Sequence, residues 1–166
     1  MKIILIDGYI DEPACLGVPP FISPPIRYIA GAIFSQKDHQ VQYYTIDQLR
    51  HQGLPRGDLY VVVAGTTVPG KYLGGKPVTP GELQVFFKSC EKPSILTGPA
   101  ALHGFHKQYK LDTVFDYVIT GDASLSLSYF LQDGHLENIT RDSPQDIQKF
   151  AQKGAHIVIQ HPNYPR

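Results

Sequence analysis

Uninterrupted apolar runs constrain the fold of this chain more than any other feature. A run that is apolar at nearly every position is typical of a strand covered on both faces, as in a parallel sheet. Four such runs occupy residues 2–7, 58–64, 94–97 and 115–120. A fifth run, 40–44, alternates between apolar and polar residues and predicts an edge strand. A last run, 155–159, is expected either to add to the sheet or to leave the domain.

Signals for helix starts separate these runs. Three of them combine a capping residue with a proline in the first turn, and an apolar stripe at helical spacing follows each. These starts lie at 23–25, 79–82 and 143–146. A weaker helix is predicted from Asp122 to Gln132, and Gly154 is expected to close the helix that begins near 143.

Strands that alternate with helices along the whole chain predict a three-layer α/β/α sandwich. Its five-stranded sheet should be mainly parallel, with right-handed crossovers and the flavodoxin-like strand order 2-1-3-4-5. The 166 residues suffice for one such domain. We assign it to residues 1–159. Residues 160–166 contain two prolines and are interpreted as the start of a connection to a further domain.

Charge and composition exclude several classes of protein. Fifteen Lys and Arg balance fifteen Asp and Glu, which argues against a nucleic-acid partner bound by a basic surface. No apolar run approaches the ~18 residues of a membrane span, and the apolar start at 3–6 is too short for a signal peptide. With two distant cysteines, Cys15 and Cys90, the chain is expected to be cytoplasmic with reduced thiols.

Glycine-containing loops follow four of the predicted strands. In a parallel sheet the ligand crevice lies beyond the carboxyl ends of the strands, so these loops would meet at one edge. A turn from strand to helix needs glycine in any case, but four such loops suggest a flat or elongated ligand lying over backbone. The loops are 8–17, 65–70, 98–101 and 121–124.

Two of these loops are long. Residues 8–22 and 65–78 show neither helix nor strand pattern, and loops of this length in a small domain are usually functional or disordered. They contain Tyr9, Phe21 and Tyr72, which favours packing against a ligand or a neighbouring domain.

Signals for other chemistry are weak. Residues 70–76 match G-x-x-x-x-G-K, but Pro77 follows where a phosphate-binding loop needs Ser or Thr and a helix. His103 and His106 lack a third metal ligand at suitable spacing, and Cys15 has no identifiable base. Cys90 lies on the apolar face of its helix. The chain itself is therefore expected to bind rather than catalyse.

The loop and helix sequences resemble the N-terminal cobalamin-binding-type domain of radical SAM enzymes, in particular an archaeal branch. The resemblance rests on a proline-started helix that ends near Ala-Gly-Ala, on two turns that are similar to the family's Gly-Gly-Pro-His and Gly-Glu, and on the closing segment. In this sequence they are 23–32, 97–100, 121–122 and 160–165.

The resemblance implies a division of labour. This domain would bind cobalamin, with the backbone of Gly98, Pro99, Gly121 and Asp122 lining the edge that faces the corrin ring. Gly8 would contribute to the cofactor site, Tyr9 would stand beneath the cobalt without coordinating it, and the Thr66 and Thr67 hydroxyls would bind the nucleotide tail. S-adenosylmethionine and a 4Fe–4S cluster would belong to a radical SAM domain beyond Arg166, because no Cys-x-x-x-Cys-x-x-Cys occurs in the chain. That domain would carry out the reaction, such as methyl transfer.

The sequence departs from the family pattern in one respect: residues 7–12 lack the Asp-x-His-x-x-Gly whose histidine coordinates cobalt in other cobalamin domains. In addition, Asp122 is equally suited to cap its helix. Two alternatives therefore remain. One is a cofactor-free scaffold of the same fold. The other is an FMN carrier, against which Asp11 and Glu12 argue because they would repel a phosphate.

Overall fold

The computed structural model describes residues 1–11, 18–67, 75–140 and 145–165, apart from the side chains of 145–147. Its sheet has five parallel strands in the order β2-β1-β3-β4-β5. The predicted three-layer α/β sandwich with flavodoxin-like order is thereby confirmed. The strands are β1 Lys2–Asp7, β2 Gln40–Thr45, β3 Leu59–Val63, β4 Ser94–Thr97 and β5 Tyr117–Val118.

Seven α-helices occur in the described residues, together with 3-10 helices at Leu111–Thr113 and Ala155–Gln160. The helices are α1 Pro24–Phe34, α2 Ile46–Gln52, α3 Pro80–Phe87, α4 Pro99–Leu102, α5 Phe105–Gln108, α6 Ala123–Asp133 and α7 Gln145–Gly154.

Two apolar layers cover the sheet. The helices α1 and α6 and the last 3-10 helix pack on one face, around Leu5, Ile29 and Ile157. The helices α2 and α3 pack on the other face, around Ile6 and Phe87. Burial on both faces explains why the central strands are apolar at consecutive positions.

Three details of the prediction are corrected. The run 155–159 forms a 3-10 helix rather than a strand, and the fifth strand is only Tyr117–Val118. The helix α2 was not predicted, although Thr45 and Gln48 form a capping box at its start. As predicted, α7 ends at Gly154. The φ of Gly154 is −77°, so the helix ends without a left-handed residue and the chain continues into the 3-10 helix.

Gly154 also allows α7 to cross α1 in direct backbone contact. A Cβ atom at Gly154 would overlap the Arg27 carbonyl oxygen, and one at Gly31 would overlap that of Phe150. The α1–α7 pair makes the most extensive contact between elements. This contact with α7 holds α1 in place.

Candidate functional site

A cleft of about 510 Å³ opens at the carboxyl ends of β4 and β5. This volume lies within the ~300–1,000 Å³ of small-molecule sites. The first turns of α1 form one wall with Pro25, Tyr28 and Ile29. Pro99 and Leu102 of α4 contribute a second wall, and Thr97 and Gly98 lie at its base. Its surface is therefore mostly apolar, which suits the face of a flat organic ligand.

The start of α6 forms the remaining side of the cleft. Asp122 is the N-cap of this helix, and its Oδ1 accepts hydrogen bonds from the N–H groups of Ser124 at 2.9 Å and Leu125 at 3.1 Å. The Ser124 hydroxyl donates to the same oxygen at 2.6 Å. The expected capping role of Asp122 is confirmed, and the same residue lines the cleft.

The segment 138–140 crosses the start of α6 and extends the cleft wall to Thr140. The Asp122 N–H donates to the Ile139 carbonyl at 2.7 Å, and the Thr120 N–H donates to Asn138 Oδ1 at 2.7 Å. A Cβ atom at Gly121 would collide with the Ile139 carbonyl oxygen. Glycine at 121 therefore lets this segment lie close to the strand end.

Of the eight residues predicted to bind a cofactor, the cleft brings together Gly98, Pro99, Gly121 and Asp122. The other four lie at the ends of β1 and β3 and do not line this cleft. Gly8 donates its N–H to the Val63 carbonyl at 2.8 Å. Thr66 is half-buried and Thr67 is exposed. A contact between any of the eight and a ligand stays a prediction.

Packing of the chain against itself explains the glycines at this sheet edge. A Cβ atom at Gly98 would lie 2.7 Å from the Ala64 carbonyl oxygen, and Gly98 has a φ of +89° that disfavours other residues. A Cβ atom at Gly8 would lie 2.7 Å from the Val63 carbonyl oxygen. These loops need glycine to pack on one another, whatever else they contact.

Tyr9 is 3% exposed, and its ring meets Phe21 edge-on with 5.4 Å between the centroids. It thus packs within the domain, whereas its position in an aromatic loop suggested a contact with a ligand or a neighbouring domain. Residues 12–17 and 68–74 of the two long loops lie outside the described residues, as do Cys15 and most of the G-x-x-x-x-G-K match.

A buried polar cluster at the end of β1 was not predicted. Asp7 is 1% exposed, and its carboxylate accepts hydrogen bonds from the Tyr9 N–H at 3.1 Å and the Tyr43 hydroxyl at 3.2 Å. Burial raises the pKa of Asp7 to about 7, against the weaker opposing effect of these two donors. Burial and the Asp7 charge raise the pKa of Tyr43 as well. A single acid at the end of an apolar run was the available signal.

A second acid lies beside this cluster. Asp11 accepts a hydrogen bond from the Thr45 hydroxyl, and its N–H donates to Asp47 Oδ2 at 2.9 Å. Burial raises the pKa of Asp11. These contacts hold the first loop to β2 and α2.

Metal chemistry finds no support in the described residues, which contain no group of three His, Cys, Asp or Glu placed to hold an ion. His106 is buried and His103 is exposed. Cys90 is a free thiol packed against the core, as predicted. None of the described residues after β1, from Gly8 to Asp11, is a histidine that could coordinate cobalt. A corrinoid bound by this chain would therefore have no histidine of residues 8–11 as a ligand to its cobalt.

The described helices include none long and apolar enough to cross a membrane. The predicted connector begins against the domain. Gln160 accepts a hydrogen bond from the Tyr43 N–H at 2.8 Å and donates to the Val41 carbonyl at 3.2 Å. His161 is buried beside the Tyr43 ring. The division of the chain at residue 159 stays a prediction.

The fold and the cleft define a doubly wound α/β domain with a candidate ligand site at the carboxyl edge of its sheet. No known protein family and no solved structure matches the chain. It is 38% identical over 170 residues to an uncharacterized protein of Archaeoglobus fulgidus, covering 99% of this chain and 30% of that protein. It is 34% identical over 179 residues to an uncharacterized protein of Methanocaldococcus jannaschii, covering 99% and 33%.

The chain thus spans about a third of the length of the curated relatives it matches. Both relatives come from archaea.

Proposed function

We propose that this chain is the cobalamin-binding-type domain of a larger, cytoplasmic radical SAM enzyme. The observation that carries the proposal is the cleft at the ends of β4 and β5. It brings the Gly98-Pro99 and Gly121-Asp122 turns, two of the segments with family resemblance, to one apolar opening beside the proline-started α1. The archaeal relatives, about three times as long, leave room for a catalytic domain elsewhere in such proteins.

In this proposal the chain holds the cofactor by shape. Tyr28 and Leu102 would pack against the edge of the corrin ring from opposite walls, and the backbone at Gly98 and Gly121 would set its depth. Bound cobalamin supplies a cobalt atom that can carry a methyl group. S-adenosylmethionine and the 4Fe–4S cluster would be held by the other domain, which would transfer the group to an unactivated carbon.

A titration with hydroxocobalamin tests the binding step. We expect the visible absorption spectrum to change on adding the chain, alone or joined to its downstream domain. Leu102→Glu should weaken binding about tenfold, which is about 1.4 kcal/mol, because it places a charge against an apolar ring. Val85→Glu is the matched control, since Val85 is exposed on α3 outside the cleft. If the spectrum changed neither with the chain alone nor with the chain joined to its downstream domain, cobalamin binding would be overturned.

The gene tests the enzyme assignment separately. A reading frame that continues past the codon for Arg166 and encodes Cys-x-x-x-Cys-x-x-Cys would support a radical SAM parent. A continuing frame without that motif would contradict it.

A cofactor-free docking domain is the second candidate, and one surface favours it. Leu102 of the cleft wall is exposed, and so are Phe105 and Tyr109 further along the chain, whose rings stack with centroids 6.5 Å apart. An apolar surface of this kind is typical of a protein contact. If this domain and its downstream domain, prepared as separate proteins, bound each other with full affinity in the absence of any cofactor, this candidate would be supported.

A further inference from the structure

A second groove shares Tyr28 with the cleft. It has a volume of about 490 Å³, which also lies within the ~300–1,000 Å³ of small-molecule sites. Of the neighbouring residues of α1, Pro25 and Ile29 line the cleft, whereas Pro24 and Arg27 line the second groove. The two openings are therefore adjacent along the first turns of α1, with Tyr28 in the wall of both.

The walls of the second groove are largely apolar and preformed. The segment before α1 contributes Pro19 and Phe21, and Ala151 of α7 and Ala155 of the last 3-10 helix lie in the facing wall. The Phe21 ring is 45% exposed, and its edge-on contact with Tyr9 holds it in place. Proline fixes its own φ, so this part of the chain needs little further ordering when a ligand binds.

Arg27 carries the only charge among the described residues that line the second groove. It is exposed, and its guanidinium makes no hydrogen bond or ion pair with any residue that the structure describes. The first turn of α1 holds no acid that could neutralise it. An apolar groove with one unpaired cation complements a ligand that combines an apolar body with a negative group.

The chemistry of Arg27 favours a carboxylate as that negative group. A guanidinium presents two parallel N–H donors that match the two oxygens of a carboxylate. A carboxylate also carries one negative charge, which the single guanidinium of the described groove residues can balance. A phosphate monoester carries nearly two negative charges at neutral pH and would leave part of its charge uncompensated there.

We propose that the second groove is a binding site for a small organic acid, whose apolar body lies against Phe21 and whose carboxylate pairs with Arg27. The inference goes beyond the proposed function and does not depend on cobalamin. If the cleft holds a cofactor, the acid would lie next to it with Tyr28 between them, which is a suitable place for a substrate.

Amide NMR titrations of the chain with 2-naphthoate and 2-naphthamide test this site. The two probes share one aromatic ring system and differ in charge. We expect 2-naphthoate to shift the resonances of Phe21, Arg27 and Ala155. We also expect it to bind at least about tenfold more tightly than 2-naphthamide, which is about 1.4 kcal/mol.

Substitutions of Arg27 separate charge from apolar packing. Arg27→Gln should remove the preference for 2-naphthoate, and Arg27→Lys should retain only part of it, because an ammonium cannot make the two-pronged contact. Arg56→Gln is the matched control, since Arg56 is exposed and lines neither opening, and it should leave the preference unchanged. All three variants should unfold close to the native temperature, because both arginines are exposed.

The outcomes separate this inference from the proposed function. Binding of 2-naphthoate at the second groove by a chain that does not bind hydroxocobalamin would sustain the inference and contradict cobalamin binding. Equal affinity for the two probes would overturn the inference, as would a preference that persists in Arg27→Gln or shifts confined to Gly98 and Gly121 of the cleft. A chain that sediments as a dimer and binds neither probe would overturn it too, because a second copy would then cover the groove.

Discussion

The two halves of the sheet's carboxyl edge differ in whether the strand ends are covered or open. At β1 and β2, the strand ends are covered: Asp7 lies under Tyr9 and Tyr43, and Tyr9 packs on Phe21. At β4 and β5, the strand ends open into a cleft between α1, α4 and α6. In folds of this strand order the ligand usually lies at the β1–β3 switch point. The described residues here place the open volume two strands further along.

The difference teaches that a parallel sheet supplies several possible sites, and that local packing decides which one is open. At β1 the polar end of the strand is satisfied by the domain's own tyrosines. At β5 the two-residue strand ends early, and the Gly121 turn leaves room between α1 and α6. Substitutions in the two halves should therefore affect different properties of the protein.

The largest expected effect comes from the covered half. Asp7 has a pKa of about 7 in the folded protein, against an ordinary value of 3.8, because it is buried. The folded state thus keeps a proton that the unfolded state loses between about pH 4 and pH 7, so stability falls as pH rises through this range. The gap between the two pKa values corresponds to a loss of about 4 kcal/mol in the free energy of unfolding. This loss is complete above about pH 7.

Asp7→Asn should remove this pH dependence. The difference in free energy of unfolding between the variant and the native protein should grow in the variant's favour from about pH 4 to pH 8, measured by urea denaturation. A difference that is constant with pH would show that Asp7 is not kept protonated. Ligand binding at the cleft should be unchanged, because Asp7 does not line it.

The next largest effect is expected where α7 crosses α1. Gly154→Ala should destabilise the protein by about 3 kcal/mol, because its Cβ would overlap backbone of α1 that cannot move aside. Thermal or urea unfolding measures this loss. Gly81→Ala is the matched control: its Cβ would meet nothing within 4 Å, and replacing a helical glycine should stabilise by up to about 1 kcal/mol. Equal effects at both sites would contradict the close helix crossing.

A smaller effect is expected in the open half. Asp122→Ala should cost about 1 kcal/mol of stability by removing the cap of α6, whereas Asp122→Asn should cost little. Comparing the two variants by urea unfolding separates capping from charge. If Asp122→Ala had no effect, the hydrogen bonds from Ser124 and Leu125 would not stabilise the helix start.

The smallest effect concerns an ion pair that holds the return of the long loop before α3. Arg50 Nε and Nη2 donate to the two Glu82 oxygens at 2.7 and 3.1 Å, and Arg50 Nη1 donates to the Lys76 carbonyl at 2.8 Å. The hydrogen bond from Arg50 lowers the pKa of Glu82 to about 2. Glu82 therefore contributes stability above its ordinary pKa of 4.5, and this contribution is lost as pH falls towards 2.

Glu82→Gln should abolish that acid-side loss and cost about 0.5 kcal/mol at neutral pH, since the pair is partly exposed. Acid titrations of stability followed by circular dichroism measure it. A native protein whose stability shows no dependence on Glu82 below about pH 4 would contradict the lowered pKa.

Local patterns predicted most of the fold. Uninterrupted apolar runs identified β1, β3, β4 and β5, and an alternating run identified β2. Cap–proline pairs identified α1, α3 and α7. Strand burial and helix starts both depend on neighbours in sequence. The helix α2 was missed even though its Thr45–Gln48 capping box is visible in sequence. The length of β5 was not predictable, because it depends on where β4 and the 138–140 segment lie.

The candidate site was predicted in part for the same reason. The Gly98-Pro99 and Gly121-Asp122 turns could be found from sequence, since each follows a strand directly. The contribution of Tyr28 could not, because it requires the placement of α1 against α6. That the glycines at this edge pack against neighbouring backbone also requires the three-dimensional arrangement, as does the burial of Asp7 beneath Tyr43.

The position of the ligand is the central claim, and an amide NMR titration with hydroxocobalamin tests it most directly. The account predicts that the resonances of Gly98, Gly121 and Ala123 shift on binding, while those of Gly8 and Thr66 do not. Shifts confined to Gly8 and Thr66 would place the ligand at the β1–β3 edge and contradict the account.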